Sequence, residues 1–134
     1  MATAGYSGTP LFTKLGIKPG VRAQFISAPV DVLRTLGALP GGIRLSARGP
    51  LGFALLFVRR KSILEKQFAR VRDRLDPDGM LWVAWPKKTS GVQSDLSESV
   101  VREIGLQNGL VDVKVCAVDE TWSGLKFVRR LRDR

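Results

Sequence analysis

The sequence predicts a three-layer α/β fold with a mostly parallel sheet that ends in an antiparallel C-terminal hairpin. Residues 53–58 and 80–85 are uncharged apolar runs, as is typical of strands that are covered on both faces. Residues 110–118 and 125–131 form two further strand patterns, close enough in sequence to pair as a hairpin. Strand and helix patterns alternate before that hairpin, which indicates a layered α/β fold.

Turn residues separate shorter elements in the first half of the chain. Residues 1–10 are rich in glycine and small residues and are predicted to be a flexible arm. The elements predicted next are a turn at 18–20, strands at 21–27 and 43–47, and a helix at 32–36. Asp31 is the expected cap of that helix, Leu33 is expected to face the core, and Gly37 is expected to end the helix before a turn at 39–42.

The clearest helix pattern covers residues 62–75. Its apolar residues, which are spaced by 4, 3 and 4, are predicted to pack on the sheet: Leu64, Phe68, Val71 and Leu75. A basic row lies on roughly the opposite face: Lys66, Arg70 and Arg74. Such a row is usually a solvated surface, and its alternative role is to bind nucleic acid. Residues 76–79 have turn chemistry and are expected to lead into the next strand.

A second helix is predicted to begin after Ser97, whose hydroxyl is a good N-cap. Leu96 and Val101 flank this cap at the spacing of a hydrophobic staple, and Gly109 is the expected end of the helix. Residues 132–134 belong to an arginine-rich end that is predicted to be a frayed basic tail. The single domain is therefore expected to span residues 11–131.

Composition restricts the function more by what is missing than by what is present. The 134 residues contain no histidine and one cysteine, Cys116, so imidazole-based catalysis, histidine-ligated zinc and internal disulfides are excluded. Cys116 lies among apolar strand residues and is predicted to be an inert thiol. No metal site is predicted. No signal peptide or membrane-length apolar run is seen, so a cytoplasmic protein without a membrane partner is expected.

The chain is strongly basic, with a net charge of +10 and a pI of about 10.7. This balance favours polyanionic partners such as nucleotides or nucleic acid, although it also aids solubility. The exposed sheet edge of a terminal hairpin additionally leaves room for a homodimer.

A polar loop follows the second apolar strand and is the main candidate binding site. Ligands bind at the C-terminal ends of strands in open α/β sheets, and cations, hydroxyls and a glycine there can hold an anion. The candidate ligand-binding residues are Trp85, Lys87, Lys88, Thr89, Ser90 and Gly91. Trp85 is included because its ring could stack on a flat ligand at the edge of the cleft.

The connection between the last two strands is a second candidate. Asp119 and Glu120 could act as acid and base or bind a cation, and Trp122 is more than a hairpin connection requires. Two adjacent carboxylates make a poor metal site, so solvated acids and a packed tryptophan are the favoured interpretation.

Several segments resemble parts of S-adenosylmethionine-dependent methyltransferases: Lys18-Pro19-Gly20-Val21, residues 75–81 and the terminal hairpin. The resemblance implies a Rossmann-like fold. The family usually has a glycine-rich loop after its first strand and an acidic residue after its second. Here the corresponding segments are residues 27–31, without glycine, and residues 43–48, with Arg44 and Arg48. S-adenosylmethionine is therefore expected to be an unlikely cofactor, and no cofactor is predicted.

Longer segments resemble a family of small bacterial proteins known only as a domain of unknown function. They are Tyr6-Ser7-Gly8-Thr9-Pro10-Leu11, Leu15-Gly16-Ile17-Lys18-Pro19-Gly20, residues 81–91 and residues 111–126. This resemblance implies a bacterial, cytoplasmic setting and no particular activity.

The sequence as a whole favours a non-catalytic or regulatory binding domain, with a degenerate methyltransferase-like cleft for an anionic small molecule or a protein partner. The missing histidine, glycine loop and acidic ribose contact weigh against catalysis without deciding the question. Two alternatives stay open. One is a nucleic-acid-binding protein that uses Lys66, Arg70, Arg74 and the arginine-rich tail. The other is a small methyltransferase, or one completed by a partner.

Overall fold

A computed structural model describes residues 10–36 and 41–134, in which a six-stranded sheet lies between two helical layers. The strands are β1 (Arg22–Ile26), β2 (Arg44–Leu45), β3 (Leu51–Phe57), β4 (Leu75–Pro86), β5 (Leu110–Ala117) and β6 (Trp122–Arg129). Their order is β2-β1-β3-β4-β6-β5; the pairings from β2 to β4 are parallel, and β6 is antiparallel to both of its neighbours. The predicted fold class and C-terminal hairpin are confirmed.

Four helices of the described residues cover the two faces of the sheet. They are α1 (Leu11–Leu15), α2 (Val30–Leu36), α3 (Lys61–Arg74) and α4 (Glu98–Gln107), and short 3₁₀ helices lie at Lys88–Ser90 and Leu131–Asp133. The second of these lies where a frayed tail was expected. Most of the predicted N-terminal arm, Gly37 and the first half of the turn at 39–42 lie outside the described residues. None of the helices described is long and apolar enough to cross a membrane.

Strand β4 divides its side chains between two apolar clusters. Leu81, Val83 and Trp85 pack with the buried stripe of α3 and with α4, whereas Trp82 and Ala84 pack with α1 and α2. This is the alternation that a strand covered on both faces must show. The indole Nε1 of the fully buried Trp82 donates a hydrogen bond to the carbonyl of Leu15, 2.8 Å away, and so ties α1 to the centre of the sheet.

The expected orientation of α2 needs two corrections. The helix begins at Val30, and the carbonyl of Pro29 accepts the N–H groups of Val32 and Leu33, so Asp31 lies inside the first turn and is not the cap. The side chain of Leu33 is 45% exposed, although it was expected to face the core. Val32 and Leu36, one helical turn apart, make the buried contact instead.

The predicted turn at 76–79 is part of β4. Pairing with β3 passes from Leu51↔Leu75 to Phe53↔Met80, so β4 accommodates three extra residues between these two pairs. A Cβ on Gly79 would lie 2.8 Å from the carbonyl oxygen of Leu51, which explains the glycine at this close approach. The turn-forming residues 76–79 therefore form an irregularity within β4, between Leu75 and Met80, which both pair with β3.

The start of α4 is as predicted. The hydroxyl of Ser97 accepts a hydrogen bond from the N–H of Val100 at 3.3 Å, and the staple residues Leu96 and Val101 are both buried. Gly109, with φ of 82°, follows the end of the helix.

Replacing Gly105 with alanine should destabilise the protein by about 2 kcal/mol. A Cβ at this position would overlap the ring of Phe127, which is fully buried and packs edge-on against Phe68 with ring centroids 5.2 Å apart. Overpacking of this kind costs about 1–3 kcal/mol and outweighs the better helix propensity of alanine. Urea unfolding measures the change. Gly41→Ala is the control, because a Cβ there meets nothing within 4 Å. Equal stability of the two variants would contradict the packing argument.

Candidate functional site

A cleft of about 510 Å³ opens at the C-terminal ends of β3 and β4. It is lined by Arg59, Arg60, Lys88, Gly91, Val92, Gln93, Ser94 and Asp95. Arg59 and Arg60 lie between β3 and α3, and the other lining residues lie between β4 and α4. Its size is within the usual range for small-molecule sites, and its position is the sheet edge at which α/β proteins bind ligands.

Hydrogen bonds between the two connections hold the cleft together. The carboxylate of Asp95 accepts a hydrogen bond from the backbone N–H of Lys61 at 2.7 Å, which places a negative charge at the start of α3. The hydroxyl of Ser94 donates to the carbonyl of Arg59 at 2.7 Å. The segment before α4 is therefore fixed to the exit of β3.

The cationic side chains of the cleft have no partner among the described residues. Within residues 10–36 and 41–134, the side chains of Arg59, Arg60 and Lys88 make no hydrogen bond or ion pair, and all three are exposed. The one carboxylate in the lining, Asp95, is engaged by the start of α3. The cleft thus presents three unpaired cations, an arrangement suited to an anionic ligand.

The predicted loop contributes only part of this cleft. Of its residues, Lys88 and Gly91 line the cleft. The backbone N–H of Lys87 donates to the carbonyl of Thr121, and the hydroxyl of Ser90 donates to the carbonyl of Lys87. Thr89 lies between them in the 3₁₀ turn and does not line the cleft. Lys87, Thr89 and Ser90 therefore shape the connection, and their predicted role in binding stays a prediction.

Arg59 and Arg60 are site residues that the sequence patterns did not predict. They directly follow the buried strand β3, which is the signal that could have identified them, since adjacent parallel strands end at the same edge.

Trp85 is placed in the core. Its side chain is 6% exposed and belongs to the apolar cluster on the α3 and α4 side, which argues against the predicted stacking on a ligand. Trp82 belongs to the opposite cluster, as its spacing of three residues from Trp85 on a strand requires.

Asp119, in the β5–β6 connection, has a local structural role. The carboxylate of Asp119 accepts hydrogen bonds from the backbone N–H groups of Thr121 and Trp122, both at 2.8 Å. Trp122 packs edge-on against Phe57 with ring centroids 5.0 Å apart, and Glu120 is exposed on the same turn. These contacts are the ones that the packed-tryptophan interpretation expects. No group of three or more metal-ligating side chains occurs in the part of the chain that the structure describes.

The predicted basic row is divided. Lys66 and Arg70 are exposed on α3, but Arg74 donates hydrogen bonds to the carbonyl of Gly49 at 3.1 Å and to the side-chain oxygen of Gln24 at 2.6 Å. Arg74 therefore supports the packing of α3 on the sheet, and only two residues of the row face solvent as predicted.

Cys116 is half-buried, and burial raises the pKa of its thiol even though Lys14 and Lys114 act in the opposite direction. A thiol with a raised pKa carries little thiolate near neutral pH, in agreement with the predicted inert cysteine.

The turn between β1 and α2 lies beside the cleft. Ile26 pairs with Leu56, so Ser27 lies next to the end of β3. Arg59 follows that end of the strand. Ser27 has φ of 58°, which is a left-handed conformation that glycine adopts more readily. The backbone here makes a tight turn without the glycine that the resemblance to methyltransferases implies.

Solved structures with the same fold include several methyltransferases. A ribosomal protein L11 methylase from Lactobacillus delbrueckii subsp. bulgaricus has a TM-score of 0.60 at 12% identity, over 90% of this chain and 75% of that chain. A magnesium protoporphyrin IX methyltransferase from Synechocystis PCC 6803 with bound S-adenosylmethionine has a TM-score of 0.60 at 10% identity, over 90% of this chain and 74% of that chain. An S-adenosylmethionine-dependent methyltransferase from Aquifex aeolicus has a TM-score of 0.62 at 12% identity, over 87% of this chain and 86% of that chain. No protein-family model and no curated protein matches the sequence.

These comparisons confirm the Rossmann-like, methyltransferase-like fold and correct one expectation. S-adenosylmethionine was considered unlikely because the glycine loop and the acidic ribose contact are missing. That inference was wrong, since the fold seen here holds S-adenosylmethionine in the Synechocystis enzyme. The resemblance to a family of small bacterial proteins stays a prediction.

Replacing Asp95 with alanine should destabilise the protein by about 1 kcal/mol. The change removes the acceptor for the N–H of Lys61, and loss of a helix cap typically costs about 0.5–2 kcal/mol. Thermal unfolding at constant pH measures the change. Asp95→Asn, which keeps a side-chain oxygen acceptor, is the control and should recover most of the loss. Equal losses in the two variants would show that the acceptor does not stabilise α3.

Proposed function

We propose that this chain is a small methyltransferase that binds S-adenosylmethionine beside the β1–α2 turn and an anionic substrate in the adjoining cleft. The observation that carries the proposal is the position of three unpaired cations at the C-terminal ends of β3 and β4, beside the Ser27 turn, in a sheet of methyltransferase type. This proposal adopts the alternative that the sequence left open, because the comparisons favour it.

The residues around the Ser27 turn fit the cofactor in part. The left-handed conformation of Ser27 supplies the backbone turn that glycine usually supplies. Residues 27–29 carry no carboxylate, and the next one along the chain, Asp31, lies in the first turn of α2. Neither Arg44, which begins β2 opposite Arg22 at the start of β1, nor Arg48, which follows β2, is the acid that usually holds the ribose hydroxyls. The ribose contact is therefore the point at which this chain departs from the family.

The charges of the cleft indicate which molecule each part would hold. S-adenosylmethionine, when bound, supplies a methyl group on a positively charged sulfur. Arg59, Arg60 and Lys88 would repel that sulfonium and attract an anion, so we assign them to the substrate. An anionic oxygen is already deprotonated and needs no general base, which suits a chain without histidine.

The second candidate function is the one that the sequence favoured, namely binding of an anionic ligand without catalysis. The observation in its favour is the glycine-free sequence of residues 27–31 together with the arginines in and after β2, Arg44 and Arg48. Such a protein would use the same three cations but would leave the ligand chemically unchanged.

The two functions can be separated by measuring binding and turnover on one preparation. Calorimetric titration with S-adenosylhomocysteine tests the cofactor site without needing a substrate. A panel of small carboxylates and phenolates is then incubated with S-adenosylmethionine, and S-adenosylhomocysteine release is measured. Binding with turnover supports the methyltransferase. Anion binding without affinity for S-adenosylhomocysteine at millimolar concentration would contradict it and favour the second function.

Replacing Arg59 or Lys88 with glutamine should weaken binding of the anionic substrate by about tenfold for each change. A charge-assisted hydrogen bond contributes about 1.5–3 kcal/mol, and about 1.4 kcal/mol corresponds to a factor of ten in affinity. Affinity for S-adenosylhomocysteine should stay within a factor of about two, because these side chains are assigned to the substrate. Calorimetry of both ligands measures the two effects.

Lys66→Gln is the matched control, since it removes one exposed positive charge from α3 away from the cleft. If this variant loses as much substrate affinity as Arg59→Gln, the effect comes from the overall charge of the protein, and the assignment of the cleft is wrong.

A further inference from the structure

Four lysines gather on the α1 side of the sheet, outside the cleft. Lys114 in β5 and Lys126 in β6 are directly opposite each other in the antiparallel ladder. Lys126 also pairs with Trp82 in β4, so the lysine pair shares the face that α1 covers. Lys14 in α1 and Lys18, which follows α1, complete the lysine cluster: Lys14, Lys18, Lys114 and Lys126.

Backbone carbonyls position two of these ammonium groups. Lys114 Nζ donates to the carbonyl of Lys14 at 3.1 Å, and Lys14 Nζ donates to the carbonyl of Ala117 at 3.4 Å. Each ammonium has three N–H donors, so at least two on each remain for a ligand. Lys126 Nζ lies over the end of α1, 3.8 Å from where a Cβ on Gly16 would be.

The lysine cluster is not neutralised by acids. Every ion pair that joins two of the described residues is made by an arginine, namely Arg34, Arg72, Arg102 or Arg132. Residues 1–9 and 37–40, which the structure does not describe, contain no aspartate or glutamate. Burial lowers the pKa of Lys126, and Lys114 and Lys18 lower it further. These effects agree with an excess of positive charge at this face.

Such an arrangement is unfavourable for the protein alone. Like charges that face each other across a β-ladder destabilise the sheet. A bound anion with several acceptor oxygens would remove the repulsion and use the free N–H donors of more than one ammonium at once. A phosphate group has this chemistry, and lysine is a common phosphate-binding residue.

We propose that the lysine cluster binds a phosphate-bearing ligand. Two sources offer the same chemistry: the phosphodiester backbone of a nucleic acid and a free polyphosphate, such as that of a nucleotide. The net charge of +10 would raise the local concentration of either. The site is distinct from the basic row on α3, which lies in the opposite layer, and it does not depend on the proposed methyltransferase activity.

The experiment uses the full chain and two probes, a fluorescein-labelled duplex oligonucleotide and inorganic tripolyphosphate. Affinity for each is measured over a range of salt concentrations for the wild type and for two double variants. The first, Lys114→Gln with Lys126→Gln, removes the cross-strand pair. The second, Lys66→Gln with Arg70→Gln, removes the same number of charges from the exposed face of α3.

We expect the Lys114/Lys126 variant to lose at least tenfold in affinity for one or both probes while the α3 variant changes by less than about threefold. For the oligonucleotide, the slope of log affinity against log salt should fall by about two in the first variant. Loss with the oligonucleotide alone identifies a nucleic-acid backbone as the ligand. Loss with tripolyphosphate alone identifies a free polyphosphate.

Equal losses of affinity in the two double variants would overturn the proposal, because they would show that the probes bind through the overall positive charge and not at the lysine cluster. Absence of binding to both probes in the wild type at low salt would overturn it as well. Without ligand, the Lys114/Lys126 variant should unfold at a higher temperature than the wild type, since the repulsion is relieved. Lys18→Gln, an exposed position outside the sheet, should weaken probe binding in part and keeps the test valid if the double variant does not fold.

Discussion

The hydrogen bond from Trp82 to the end of α1 is the constraint on which much of this structure depends. The indole is fully buried in the middle of β4, and an unpaired N–H there would cost about 1–3 kcal/mol. The carbonyl of Leu15 satisfies it, so a helix of only five residues has one defined position on the sheet. That position seals the apolar cluster on this face and brings the backbone of Lys14 to the ammonium of Lys114. Packing and surface charge are thus set by the same contact.

Sequence patterns predict the central elements well, because the cause of each element is local. The apolar stripe of α3 and the cap at Ser97 lie within a few residues of the structure they specify. The patterns fail where a distant partner decides the outcome. Residues 76–79 look like a turn but join β4, because Leu51 pairs with Leu75 on the neighbouring strand. Arg74 has the spacing of a surface residue, yet Gln24, fifty residues earlier, draws its guanidinium onto the sheet.

For the same reason, the sequence predicts only the part of the candidate site that follows β4. The loop after β4 was recognised because ligands bind beyond the ends of buried strands, and Lys88 and Gly91 do line the cleft. The two arginines after β3 were passed over, since only the parallel pairing of β3 with β4 brings them to the same place. The lysine cluster was out of reach altogether. It depends on the register that sets Lys114 opposite Lys126, and a shift of one residue would turn one of them to the other face.

The interruption in β5 has a consequence for association with other chains. Between Asp112 and Lys114 the register shifts, so Val113 is an extra residue on the outermost strand. Val113 and Val115 are both about half exposed on this edge, and a straight, apolar edge of this kind would template the addition of a further strand. The bulge twists the edge away from a regular ladder, and the charge of Lys114 would have to be desolvated by any strand that docked there. Lys114, which adds to the positive charge of the sheet face, therefore also disfavours edge-to-edge association of the sheet through β5.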